Sequence, residues 1–157
     1  MSGRRRFCGA LLLSPIAAML AACGKSADWP QGMAEIKWDR DTCVRCNMVI
    51  SDRRFAAELV GGEKNTAFRF DDIGCLVFWL RDKAAQHPWM AEAATRLWVA
   101  DAAGKPGTPP RWLDARQAHF VGGRASPMGY NYAAVAAGQG EGIDFATLRE
   151  RLLARGR

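Results

Sequence analysis

The chain has 157 residues, 49% of them apolar and 24% charged, which is enough for one ordinary domain with a real core and excludes a disordered or collagen-like polymer. Its formal charge of +6 is unevenly placed: three of the 22 basic residues are Arg4, Arg5 and Arg6, and all 16 acids lie beyond residue 23. With those three arginines set aside, the excess is too weak for a nucleic-acid footprint, and no arginine–aromatic stripe supports one.

Residues 4–6 form a basic n-region and residues 7–20 a short apolar h-region. That run is too short for a permanent membrane helix and fits a cleaved export signal over residues 1–22. Leu20-Ala21-Ala22-Cys23 resembles a bacterial lipobox, in which small residues admit the peptidase and the Cys23 thiol takes the lipid. A coincidental cysteine after an ordinary signal is the alternative. Buried acyl chains contribute ~0.8 kcal/mol per CH₂, so two or three of them anchor durably. Gly24, where an Asp would retain the lipoprotein, implies by the same resemblance a periplasmic lipoprotein anchored in the outer membrane. Arg4-Arg5-Arg6-Phe7 also touches a twin-arginine pattern, so the sequence leaves the export route open.

Residues 23–40 read as a lipidated start and a tether, broken by Trp29-Pro30-Gln31-Gly32. Phe55 to Val60 predicts a strand, Gly61 to Lys64 a turn, and Thr66 to Phe70 a second strand with two phenylalanines on one face. Asp71 or Asp72 then caps a helix over residues 73–84, whose apolar face holds Ile73, Val77 and Leu80. A second round begins with a strand at Arg96–Ala100 and a loop through Ala103–Pro110. Short strands follow at Trp112–Ala115 and Ala118–Val121. Asp144 caps a closing helix with Phe145, Leu148 and Leu152 at i, i+3 and i+7. The expectation is an α+β fold of two small ββα(β) halves, residues 41–92 and 95–157, packed on each other because neither half is secure alone.

Of five cysteines, Cys8 leaves with the signal and Cys23 takes the lipid, so Cys43, Cys46 and Cys75 remain. Three is an odd number for a disulfide framework, so at least one thiol needs another role. Asp41 to Ile50 holds Cys43-Val44-Arg45-Cys46-Asn47-Met48. Two thiolates in one turn with a thioether two residues on make a soft donor set, which suits Cu(I). Zinc asks for four nitrogen or sulfur ligands, and no second pair stands at ligand spacing. A thioredoxin-like pair would open a helix, whereas strand-like sequence follows here. Copper, zinc, and a Cys43–Cys46 disulfide or redox pair all stay open from chemistry alone. Arg45 between the thiols is expected to favour thiolate by its charge.

Met128 sits in Ser126-Pro127-Met128-Gly129-Tyr130, a constrained turn with no evident core face, though core packing is the commoner fate of methionine. Met33 and Met90 read as packing residues. Cys75, one turn into an apolar helix, reads as a small buried hydrophobe. His87 and His119 read as structural or exposed rather than as ligands, and Trp89, Trp98 and Trp112 as core.

Four motifs in this order carry a family resemblance: the lipobox, Cys43-x-x-Cys46-x-Met48, Phe70-Asp71-Asp72-Ile73-Gly74-Cys75, and Ser126-Pro127-Met128-Gly129. Together, over residues 20 to about 135, they resemble the NosL family of accessory lipoproteins of nitrous oxide reductase maturation. The resemblance implies a Cu(I)-binding carrier, not an enzyme. Such a carrier delivers copper, with the membrane complex NosD, NosF and NosY, for assembly of the reductase's copper-sulfide centre. It also implies a fold of paired ββαβ units related to organomercurial lyase. As metal ligands it points to Cys46, Met48 and Met128 most directly and to Cys43 less directly. The family motif most often has Gly where Asn47 stands, and Asn tolerates positive φ better than other non-glycine residues. Two rivals are an organomercurial-lyase-like enzyme, in which Cys75 and Asp72 would face a pocket with Cys46, and a lipoprotein with a structural zinc.

Overall fold

A computed structural model describes residues 29–105 and 107–156. The expected signal segment with Cys8, the expected lipidation site Cys23 and the first part of the expected tether lie outside the described residues. Among the described residues no helix is long and apolar enough to cross a membrane.

Alternating apolar residues and a tight turn build the first hairpin, β1 (Ala57–Gly61) and β2 (Thr66–Phe70). The reversal needs two left-handed residues, and Gly62 at φ 71° and Asn65 at φ 48° supply them. The hairpin starts two residues later than the sequence predicts. α1 (Ile73–Asp82) follows directly, capped by Asp72, whose side chain accepts from the Gly74 N–H. It ends two residues early, at the Lys83 C-cap. Every residue from Ile73 to Trp79 is buried, so α1 is a core helix covered on all sides rather than an amphipathic surface helix.

After a 3₁₀ turn at Pro88–Ala91 come β3 (Arg96–Ala100) and β4 (Trp112–Asp114). β3 pairs antiparallel with β1 and β4 with β3, giving one sheet in the order β2-β1-β3-β4. β5 (His119–Gly122) and β6 (Tyr132–Val135) form a separate antiparallel pair, followed by α2 (Phe145–Arg155). The fold is α+β, and strand pair then capped helix occurs twice, as β1-β2-α1 and β5-β6-α2. The two helices pack on each other. One continuous core joins Leu59, Phe70, Leu76, Phe78 and Leu97 to Phe120, Leu148 and Leu152. Leu148 and Leu152 are the α2 face that the i, i+3, i+7 pattern predicts.

Residues 29–40, expected as the end of a tether, are instead packed on the sheet. Met33 and Ile36 belong to the core, and the Ala34 N–H donates to Glu58 at 2.7 Å. Trp29 stacks on Trp112 at 5.5 Å between ring centres, with Trp38 completing the cluster. Apolar residues at 29, 33, 36 and 38 have no strict period, because they follow the sheet surface and not a regular element of their own. Met33 and Met90 are both buried, as packing residues should be.

Candidate metal centre

Residues 41–50 fold into a closed loop against β2. The Cys43 N–H donates to the Met48 carbonyl at 2.8 Å, the Asn47 N–H to the Cys43 carbonyl at 2.9 Å and the Ile50 N–H to the Asp41 carbonyl at 2.9 Å. Asn47 takes φ 60°, the left-handed conformation for which the sequence favours Gly or Asn. The Val44 N–H reaches the Arg69 carbonyl at 3.0 Å and fastens the loop to β2. β2 runs straight on into Asp71, and the first turn of α1 carries Cys75. Loop, strand end and helix start therefore converge.

At that point the sulfurs of Cys43, Cys46 and Cys75 and a carboxylate oxygen of Asp71 all lie within 4.8 Å of one another. All three cysteines are free thiols. Cys43 and Cys75 are fully buried, Cys46 is half-buried and Asp71 is 2% exposed. The Cys46 thiol donates to Asp71 Oδ1 at 3.3 Å. Asp71 Oδ2 is buried with no hydrogen-bond donor among the described residues. A buried carboxylate oxygen left without a donor or cation is costly, so the donor set suits a metal ion held at this point.

The thiols do not ionise alike. A hydrogen bond from the Cys75 thiol, reinforced by backbone N–H groups, outweighs burial and lowers Cys43 to about 7. Burial pushes Cys46 up to about 12, with further upward contributions from Cys43 and Asp71. Cys75 is pushed up most, first because its proton is engaged by Cys43 and then by burial. Cys43 is thus the thiol that ionises most readily, and a metal would displace the remaining protons. Arg45 acts on Cys43 through its backbone N–H, and its guanidinium charge bears on the cluster through Cys75. Its guanidinium donates to the Tyr130 hydroxyl at 3.0 Å and lies over the Phe78 ring at 4.7 Å.

Of the four ligands expected from sequence, the structure brings Cys43 and Cys46 together. Met48 lies in the same loop and is 53% exposed. Met128 is half-buried against the core, and its backbone N–H donates to Asp72 Oδ2 at 3.1 Å. Cys75 needs correction. It is buried as expected, but its sulfur belongs to the cluster and is not merely packing. Asp71 joins it, a residue that the sequence offered as an alternative helix cap and as part of the Phe70–Cys75 motif, not as a ligand. The signal for both was present in the unpaired third thiol and in the tandem acids just before it. His87 packs against the stacked Phe68 and Trp89 rings and His119 lies on β5, neither in the cluster.

No protein-family model matches the chain, and no curated protein does. Among solved structures, the crystal structure of the copper chaperone NosL from Shewanella denitrificans matches with a TM-score of 0.54 and 19% identity, covering 80% of this chain and 89% of that one. The chain has the NosL fold. At that identity the likeness is one of architecture, and the chemistry has to be argued from the cluster itself.

Proposed function

We propose that this protein is a Cu(I) carrier rather than an enzyme. The observation that carries the reading is the meeting of three thiols and one carboxylate from three separate segments. Thiolate-rich donors select Cu(I) over harder divalent ions, and the solved neighbour of the same fold is described as a copper chaperone. Cys43 and Cys46 serve as ligands together with Cys75, and Met48 and Met128 supply thioethers in this reading. Half-buried Cys46 is the side from which an acceptor's ligand enters, so copper leaves by ligand exchange without passing through water. The acceptor in this proposal is nitrous oxide reductase, during assembly of its copper-sulfide centre with NosD, NosF and NosY. The carrier works from the periplasmic face, held by a lipid on Cys23 in the outer membrane.

Metal analysis after anaerobic and aerobic purification tests the carrier reading. Copper retained in reductant and lost on oxidation is expected, whereas one zinc per chain in either state would replace it with a structural site. Mass spectrometry of the membrane fraction should show a diacylglyceryl group on Cys23, and an unmodified residue 23 would remove the anchor.

One observation favours a second reading. A thiol that donates to a carboxylate beside two further thiols has the donor pattern for protonolysis of a carbon–mercury bond, with Asp71 in the place expected for Asp72. Release of benzene from phenylmercury by the purified protein would support that enzyme; stoichiometric binding without benzene supports the carrier.

A further inference from the structure

Asp72 does more than a helix cap requires. An N-cap needs one side-chain oxygen, and Oδ1 provides it by accepting from the Gly74 N–H at 3.0 Å. Oδ2 reaches a segment 54 residues further along the chain, accepting from the Ser126 hydroxyl at 2.6 Å and from the Met128 N–H at 3.1 Å. Asp72 is fully buried. A neutral Ser or Asn would cap α1 without the cost of burying a carboxylate, so the position calls for its second acceptor oxygen.

The turn that Oδ2 grips is itself closed. The Ser126 hydroxyl accepts from the Asn131 N–H at 2.9 Å, and the Gly129 N–H donates to the Ser126 carbonyl at 3.0 Å. Its far end is fixed separately. Tyr130 stacks on Phe78 with 5.6 Å between ring centres, and its hydroxyl accepts from Arg45, which lies between Cys43 and Cys46. The ring occupies the space above Gly74 where any β-carbon would stand. The Met128 turn is thus attached at one end to the start of α1, which carries Cys75, and at the other to the loop of Cys43 and Cys46.

We infer that Asp72 is a positioning residue for copper binding: through Ser126 and the Met128 backbone it holds the Met128 thioether in register with the thiol cluster. This rests on the reading of Met128 as a copper ligand. Asp72→Asn preserves size and the oxygen for Gly74, but sets an NH₂ group against the Met128 N–H, two donors facing each other. Ser126→Ala removes the other partner of Oδ2 and leaves α1 capped.

The test is an anaerobic Cu(I) titration of the full chain against a chelator, with each variant made in the native and Met128→Leu backgrounds. Asp72→Asn and Ser126→Ala should each weaken Cu(I) binding by about tenfold, the scale of a lost charge-assisted hydrogen bond, and should weaken it no further once Met128 is Leu. A merely structural role would lower affinity equally in both backgrounds, and that result overturns the inference. Native affinity in folded Asp72→Asn and Ser126→Ala, with Met128→Leu impaired, overturns it while leaving Met128 as a ligand. Native affinity in Met128→Leu itself removes both. Should Asp72→Asn lose its helical circular dichroism, Ser126→Ala alone decides.

Discussion

The two helices begin in the same way and end up with different work. Each follows an antiparallel strand pair, and each starts from an aspartate cap. Asp144 at α2 accepts from the Thr147 N–H at 2.8 Å and is otherwise open to solvent. Asp72 at α1 is buried, and its second oxygen binds the Met128 turn. The preceding residue, Asp71, and the third residue after the cap, Cys75, face the thiols of the 41–50 loop. The local code for starting a helix is therefore shared, and what distinguishes the start of α1 is the set of distant segments folded onto it to form the thiol cluster.

That contrast breaks first at the thiols. Cys46→Ser should weaken Cu(I) binding by more than about 100-fold, beyond the loss that a merely supporting group causes, without lowering the thermal midpoint. Chelator competition beside a melting curve checks both. Affinity within a few-fold of native would move the site away from the start of α1.

Gly74→Ala is the next largest effect. Its β-carbon would enter the Tyr130 ring, and that ring is buried against Phe78 and cannot swing away freely. Overpacking of this kind should cost about 3 kcal/mol in urea unfolding. Copper affinity should fall with it, because Tyr130 ends the Met128 turn. A matching change in α2, Ala146→Gly, should leave copper affinity untouched.

Glu58 is a control for the buried carboxylates. It lies on β1, fully buried, with Oε2 lacking a hydrogen-bond donor among the described residues, but no thiol cluster includes it. Burial pushes its carboxyl from 4.5 up to about 7, against the opposing effects of the Ala34 N–H and Arg69. The folded chain therefore holds this proton more tightly than the unfolded chain does. Its contribution to stability is full below about pH 4.5 and is lost as the pH rises through about 7. Between pH 5 and 8 the native chain should lose on the order of 2 kcal/mol through this group. Glu58→Gln should flatten that fall while binding Cu(I) as the native chain does. An unchanged pH profile would mean that the Arg69 ion pair at 3.4 Å keeps Glu58 ionised when folded.

Asp144→Ala should have the smallest effect, a slight drop in the thermal midpoint and no change in copper affinity. Equal losses of affinity from the two cap substitutions would erase the distinction between the helices.

Much of this architecture was legible in the sequence. The β1–β2 hairpin has alternation and a Gly-Gly turn, and both helices carry aspartate caps followed by apolar positions at helical spacing. β6 carries no strand signal in the sequence, because Tyr132-Ala133-Ala134-Val135 is half alanine, which has little preference for strands, and it is buried throughout so no alternation shows. The segment at 29–40 resembles a tether in sequence because its packing residues obey the shape of the sheet rather than a period. For the site, Cys43-x-x-Cys46 was visible as a local pattern, and Asn47 as a residue suited to its turn. Cys75 and Asp71 left a weaker signal, an unpaired third thiol and tandem acids, since both also satisfy the simpler descriptions of a helix core residue and a cap. Nothing local reveals that α1 starts against the 41–50 loop; that depends on the Val44–Arg69 backbone bond and on burial of both segments in one core.

The central claim is that sulfurs from separate segments enclose one monovalent copper ion, and X-ray absorption at the copper edge tests it most directly. Protein loaded anaerobically with one Cu(I) should show a first shell of sulfur alone, with one sulfur fewer in Cys46→Ser. A first shell containing histidine nitrogen, or an unchanged sulfur count in Cys46→Ser, would contradict it.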